Sequence, residues 1–157
     1  MSTFVPDIKI EDLLFSVENG MISGENYVVF ECTNNSNYKI VELKITFEEK
    51  AGISKDEMNA FYSAIQSSQG FDDEFMKKFR ENLRSPMSMY VHIDEPVEAG
   101  KQTEKYKCYY YGGWGSKNVP YAHLFEPQKA IIKYEKDGTT YTLYYNFASN
   151  LYDLENS

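Results

Sequence analysis

Hydrophobic and polar residues alternate in short runs along this chain, and the clearest run is YVVFECTNNSNYKIVELKITFEE at 27–49. Val28, Phe30 and Cys32 alternate with Val29 and Glu31 before Asn34-Asn35-Ser36-Asn37 supplies a turn. Val41, Leu43, Ile45 and Phe47 then alternate with Glu42, Lys44, Thr46 and Glu48, the period of a strand with one wet face. Upstream, Ile8 to Val17 reads as another strand, closed by Asn19-Gly20, a dipeptide that tolerates positive φ in a tight turn. Downstream, Met87, Met89, Val91 and Ile93 alternate with Ser88, Tyr90, His92 and Asp94, and Thr103 to Tyr111 follows as a further strand. In AIIKYEKDGTTYTLYYNF, residues 130–147, Asp137-Gly138 separates two alternating runs. That is a two-residue hairpin, with Ile132 and Tyr134 sharing a face with Tyr141 and Leu143 or their neighbours.

One segment has a different period. Ser54 and Glu57 form a capping box, and Met58, Phe61, Tyr62 and Ile65 recur at helical spacing until Gly70. A second helix opens at Asp72 or Asp73, places Lys77, Lys78, Arg80 and Arg84 toward its C-terminus, and stops before Pro86. The pattern predicts helices over 54–67 and 72–84, with Phe75, Met76, Phe79 and Leu83 buried against the sheets. At this length about seven strands predict an antiparallel β-sandwich. The chain reads as a single domain, 1–157, carrying a helical insertion at about 54–84 that caps one end or one sheet face.

Composition narrows the function classes. Aromatics at 16%, with 14 Tyr and 10 Phe, exclude a disordered chain and lean toward β structure. A net charge of −8 argues against nucleic acid, which recruits clustered Lys and Arg, and suits a solution protein or a basic partner. No run approaches a membrane span, and MSTFVPDIKIEDLL lacks the basic start and apolar block of an export signal. Two locations stay open: the cytoplasm, or the cell envelope and exterior if a signal preceded this sequence.

The runs at 27–49, VEAGKQTEKYKCYYY and the hairpin at 130–147 together resemble the immunoglobulin-like β-sandwich modules of Gram-positive bacterial lipoproteins and secreted proteins. Such modules most often serve as non-catalytic binding or spacer units. The resemblance therefore implies a mainly β, antiparallel immunoglobulin-like sandwich with a protein or glycan ligand, and no particular site residue. A second reading is a cytosolic partner-binding protein, such as an immunity-like inhibitor, whose acidic surface covers a basic partner.

Catalytic and metal signatures are missing from the sequence. There is no G-x-S-x-G elbow, and Gly100-Lys101 lacks the upstream glycine of a phosphate loop. Asp94 and Glu95 are adjacent, so on a strand they point to opposite faces and cannot act as a pair. His92 and Asp94 share a face, but the other histidine is His123, and no zinc-ligand spacing joins them. The expectation is no enzyme, no metal and no cofactor. Neither composition nor patterning sets an oligomeric state. Cys32 and Cys108 both fall on inward faces, so a cross-sheet bridge like that of antibody domains and a pair of small buried hydrophobes are both open, the second being commoner.

The remaining candidate is CYYYGGWG at 108–115, which holds the only tryptophan. Tyr109 and Tyr111 alternate away from Cys108 and Tyr110, and three glycines release the backbone into a loop in which Trp114 hangs. Trp114, with Tyr109, Tyr111 and Tyr121 beside it, is the ligand-binding candidate, a stacking platform for a sugar or peptide. The competing reading makes Trp114 a plug for an open end of the sandwich, and a lone tryptophan fits that better.

Overall fold

The computed structural model describes residues 5–82, 88–110 and 114–156, and every side chain there except those at 79, 82, 114 and 156. Among these residues ten strands and two helices follow in order: β1 (Leu13–Ile22), β2 (Glu25–Asn34), β3 (Lys39–Glu49), α1 (Lys55–Gln69), α2 (Asp73–Asn82), β4 (Ser88–Ile93), β5 (Tyr106–Lys107), β6 (Tyr109–Tyr110), β7 (Trp114–Gly115), β8 (Phe125–Lys136), β9 (Thr139–Asn146) and β10 (Leu151–Asn156). They build two antiparallel sheets, one ordered β1-β2-β5 and one ordered β10-β9-β8-β3-β4-β6-β7. The protein is mainly β, as the alternation predicts.

One core joins the sheets. Val28, Phe30 and Cys32 of β2 meet Leu43, Ile45 and Phe47 of β3, Met89, Val91 and Ile93 of β4, and Ile132, Tyr134 and Leu143 of the last hairpin. Each such aliphatic or aromatic side chain contributes about 1.5–3 kcal/mol by leaving water. Asp137 and Gly138 turn that hairpin with φ of 53° and 78°, and the register sets Ile132 opposite Leu143 and Tyr134 opposite Tyr141. Asn34 ends β2 and orders the next turn through its own side chain, which accepts from the Ser36 amide at 3.0 Å and donates to the Tyr38 carbonyl at 2.8 Å.

Four local expectations are corrected. Asn19 and Gly20 do not turn: the first hairpin turns at Ser23-Gly24, with φ of 52° and 83°, and β1 runs through to Ile22 rather than over 8–17. A Cβ on Gly20 would lie 3.2 Å from a Val29 methyl, so glycine serves here for close packing, while the Asn19 side chain accepts from the Ala122 amide at 2.9 Å. In β3 the register slips between Ile40 and Glu42, which leaves Val41 as the extra residue of a bulge and turns Ile40 inward in its place. The single strand expected over 103–111 is two short pieces. β5 pairs with β2 in the small sheet and β6 with β4 in the large one, so the chain changes sheets at Cys108.

Between β3 and β4 lie the helices. Ser54 Oγ accepts from the Glu57 amide at 3.2 Å and donates to Glu57 Oε1 at 3.3 Å, so the glutamate meets the cap hydroxyl rather than the cap amide. Gly70 ends α1 in the left-handed region at φ 71°. Phe61, fully buried, sets its ring edge-on to Tyr110 at 5.0 Å and within 6.0 Å of Tyr121 and Phe125, which closes one end of the core. In α2, Met76 is buried, but Phe75 is 42% exposed and rests on Phe71 at 4.2 Å, contrary to the expectation that this side is wholly covered. The Phe79 side chain and all of Leu83, Arg84, Pro86 and Met87 lie outside the described residues.

Candidate functional site

The change of sheet at Cys108 places alternate residues of one short stretch in different surroundings. Tyr110 faces the core, where it is fully buried and its hydroxyl donates to the Val119 carbonyl; burial pushes its phenol far up. Tyr109 faces outward and stacks on Tyr90 of β4, with ring centres 5.7 Å apart and planes 21° apart. Two residues back, Lys107 sits on β5 beside β2. Its ammonium lies 5.6 Å from the Tyr27 ring and 5.7 Å from the Tyr109 ring. Lys44 of β3 repeats the contact 5.6 Å over Tyr90. Cations over ring faces are attracted by the ring quadrupole and leave the ring edges and the ammonium protons open to a ligand.

A cavity of about 530 Å³ opens here, lined by Tyr27, His92, Lys105, Tyr106, Lys107 and Tyr109 among others. The one carboxylate on its wall is Glu25, and Lys117 stands 3.8 Å from it. Lys105 and Lys107 form no ion pair among the described residues. The cleft thus presents two lysine ammonium groups that carry no ion pair among the described residues, with Asp94, Glu95 and Glu104 near its Tyr106 wall, on a chain of net charge −8. At its rim His92 Nε2 donates to Glu42 Oε1 at 2.7 Å, and Lys133 donates to the other oxygen at 3.2 Å. Those two donors, His92 first, hold the Glu42 carboxyl below its usual range. Tyr106 donates to Glu95 at 2.9 Å; burial first, then that hydrogen bond and the charges of Glu95, Glu104 and Asp94, push this phenol up to about 12.

A second cavity, about 690 Å³, lies on the outer face of β8, β9 and β10. Its exposed ring, Tyr144, donates to Glu155 and sits opposite Asp153, while Lys44 and Lys129 also line it. Its rim, like that of the first, is mixed in sign.

The residues predicted as a site do not all come together. Tyr109 is at the cleft, whereas Tyr121 packs on Phe61 and donates to the Ala60 carbonyl at 3.3 Å, on the opposite side of β6. The backbone of Trp114 does not hang in a loop: it pairs with Tyr110 in an edge strand. Its side chain and all of Tyr111, Gly112 and Gly113 lie outside the described residues. Tyr27, Tyr90, Lys44 and Lys107 went unnoticed in the sequence. Tyr90 and Lys44 were legible as outward-facing, but only the pairing of β6 with β4 brings Tyr109 to them.

Cys32 and Cys108 are free, buried thiols, each pushed up to about 12 by burial. The Cys108 amide donates to Val28, while the Cys32 amide donates to Thr103. Four strand residues separate those points, roughly 13 Å along β2. A disulfide spans at most about 7 Å between Cα atoms, so this register does not accommodate the bridge. Among the described residues no three His, Cys, Asp or Glu side chains converge on a metal position, and no helix is long and apolar enough to cross a membrane. Comparison with protein-family models, with curated proteins and with solved structures finds no match.

Proposed function

We propose that this chain is a non-catalytic binding module of immunoglobulin-like architecture, and that the cleft between Tyr27, Lys107 and Tyr109 takes an anionic, ring-bearing ligand such as an acidic sugar. The architecture is supported by strand order. β1, β2 and β5 form one sheet, while β3, β4 and the late hairpin β8–β9 form the core of the other, with β8 beside β3. In an immunoglobulin-like Greek key the first, second and fifth strands likewise share one sheet and the third strand and the late hairpin the other. Such modules belong to the cell envelope or the exterior, and this chain is assigned there on the same ground.

The ligand class rests on one observation: Lys107 lies between two tyrosine rings, with Lys105, which forms no ion pair among the described residues, alongside, on a chain of net charge −8. The open ring edges offer rigid apolar contact to a sugar ring with little loss of side-chain freedom, and two ammonium groups select a carboxylate or sulfate on that ring. The cavity volume falls within the range of small-ligand sites. Two lysines are too few to hold a polyphosphate backbone against a net charge of −8.

Calorimetric titration with oligogalacturonate and with its methyl ester tests the proposal, because the two share rings and differ in charge. The acidic oligosaccharide binds, the ester binds at least about tenfold more weakly, and Lys107→Glu abolishes the difference. Equal affinity for the two, or no binding of either, overturns it.

A further inference from the structure

Edge strands with unpaired backbone groups recruit other strands unless they are short, charged or covered. The described edges of this protein differ in that respect. β5 and β7 are two residues each, and β10 carries Asp153 and Glu155, which a second copy of itself would meet as like charges. β1 is neither short nor charged along its length, with ten residues, no register shift against β2, no proline, no lysine or arginine and one charge, Glu18. The turn at Ala122–Leu124 meets it through the Asn19 side chain, leaving its outer backbone without a strand partner among the described residues. Leu14 and Met21 stand 58% and 54% exposed along it.

We propose that β1 is a self-pairing edge, joined antiparallel to β1 of a second copy about a two-fold axis at Val17. The register follows from the sequence of the strand. A continuous sheet must set outward residues opposite outward residues, so the axis falls on a residue and not between two. With the axis at Val17, Leu14 covers Gly20 of the other copy, which has no side chain to collide with it, and Ser16 faces Glu18 and can donate to its carboxylate. The inward row then sets Leu13 against Met21 and Phe15 against Asn19. Moving the axis to Glu18 opposes two carboxylates; moving it to Ser16 lays Leu14 against Glu18. Only the Val17 register both buries Leu14 against a small residue and gives Glu18 a hydrogen-bond donor. Each Ser16–Glu18 contact occurs twice by symmetry.

Analytical ultracentrifugation over a concentration series tests this with charge variants of Ser16, which is exposed and tolerates substitution without loss of fold. The wild type sediments as a reversible dimer of twice 18.3 kDa. Ser16→Glu puts a carboxylate against Glu18 at two places and weakens the dimer about tenfold, whereas Ser16→Lys puts an ammonium there and tightens it by a similar factor. A wild type monomeric throughout the series overturns the proposal. So does a shift of both variants in the same direction, or a dimer that responds to Asp153→Lys and not to Ser16.

Discussion

Tyr134 and Tyr109 belong to the same large sheet and point to its opposite faces. Tyr134 is fully buried, with the Tyr38 and Tyr141 rings 5.6 and 5.7 Å away, and its hydroxyl donates to Asp7 at 2.7 Å. Lys136 donates to the other oxygen of Asp7 at 3.0 Å, so the N-terminal segment is clamped to the hairpin. Tyr109 lies among rings as well, but its neighbour charge is a lysine over the ring face instead of a carboxylate at the hydroxyl. Tyrosine fills a core where its one polar atom finds an acceptor, and makes a receptive surface where its ring is left facing a cation. The aromatic excess of the chain therefore has two uses, and substitutions can separate them.

The largest effect falls on the buried side. Tyr110→Ala removes the ring that Phe61 and Phe125 pack on and leaves the Val119 carbonyl without its donor. The expected loss is about 3–5 kcal/mol, read as a fall in the urea midpoint with little change in slope. A loss as small as that of an exposed ring would erase the distinction between the two tyrosine groups.

Asp7 gives a smaller effect with a pH signature. Burial pushes its carboxyl up, but the hydrogen bonds from Tyr134 and Lys136 outweigh this and hold it below the usual range. A carboxyl lowered on folding contributes stability that is present above its unfolded value and is lost as the pH falls through its folded one. Asp7→Asn keeps the shape, costs about 1 kcal/mol at neutral pH, and flattens the acid limb of the stability curve. Chemical denaturation at neutral and acid pH measures both; parallel limbs for the two proteins would assign the acid sensitivity elsewhere.

How much of this was legible in the sequence depends on whether a feature is local. Leu43, Ile45 and Phe47, the Asp137-Gly138 turn, the Ser54 cap and the Gly70 stop are each written within a few residues, and the structure places them as the pattern predicts. The Val41 bulge is invisible locally because it is defined against β8. Asn19-Gly20 is the stronger turn on local chemistry, and only the pairing of β1 with β2 moves the turn on to Ser23-Gly24. At the site, Tyr109 was legible as outward, but its neighbours arrive from β2, β4 and β5, and alternation within a strand does not report which strands lie side by side.

The smallest stability effect carries the sharpest functional contrast. Tyr109 and Tyr110 are consecutive, so replacing each in turn changes one ring on each face of the same two-residue strand. Tyr109→Ala removes a half-exposed ring whose contacts among the described residues include the Tyr90 stack, the Lys107 cation and the backbone at Gly115. No buried acceptor is orphaned and no closed cavity is left, so the midpoint moves by under about 1 kcal/mol. Lys107 then loses one of the two rings that hold it, and its ammonium swings free of the cleft. Affinity for an acidic oligosaccharide falls at least about tenfold while the fold stands, whereas Tyr110→Ala loses stability first and binding only as a consequence. Titrating both variants well below their melting temperatures separates the cases. Unchanged affinity in Tyr109→Ala would move the ligand to the outer face of β8, β9 and β10, where Tyr144 and Lys129 become the residues to replace.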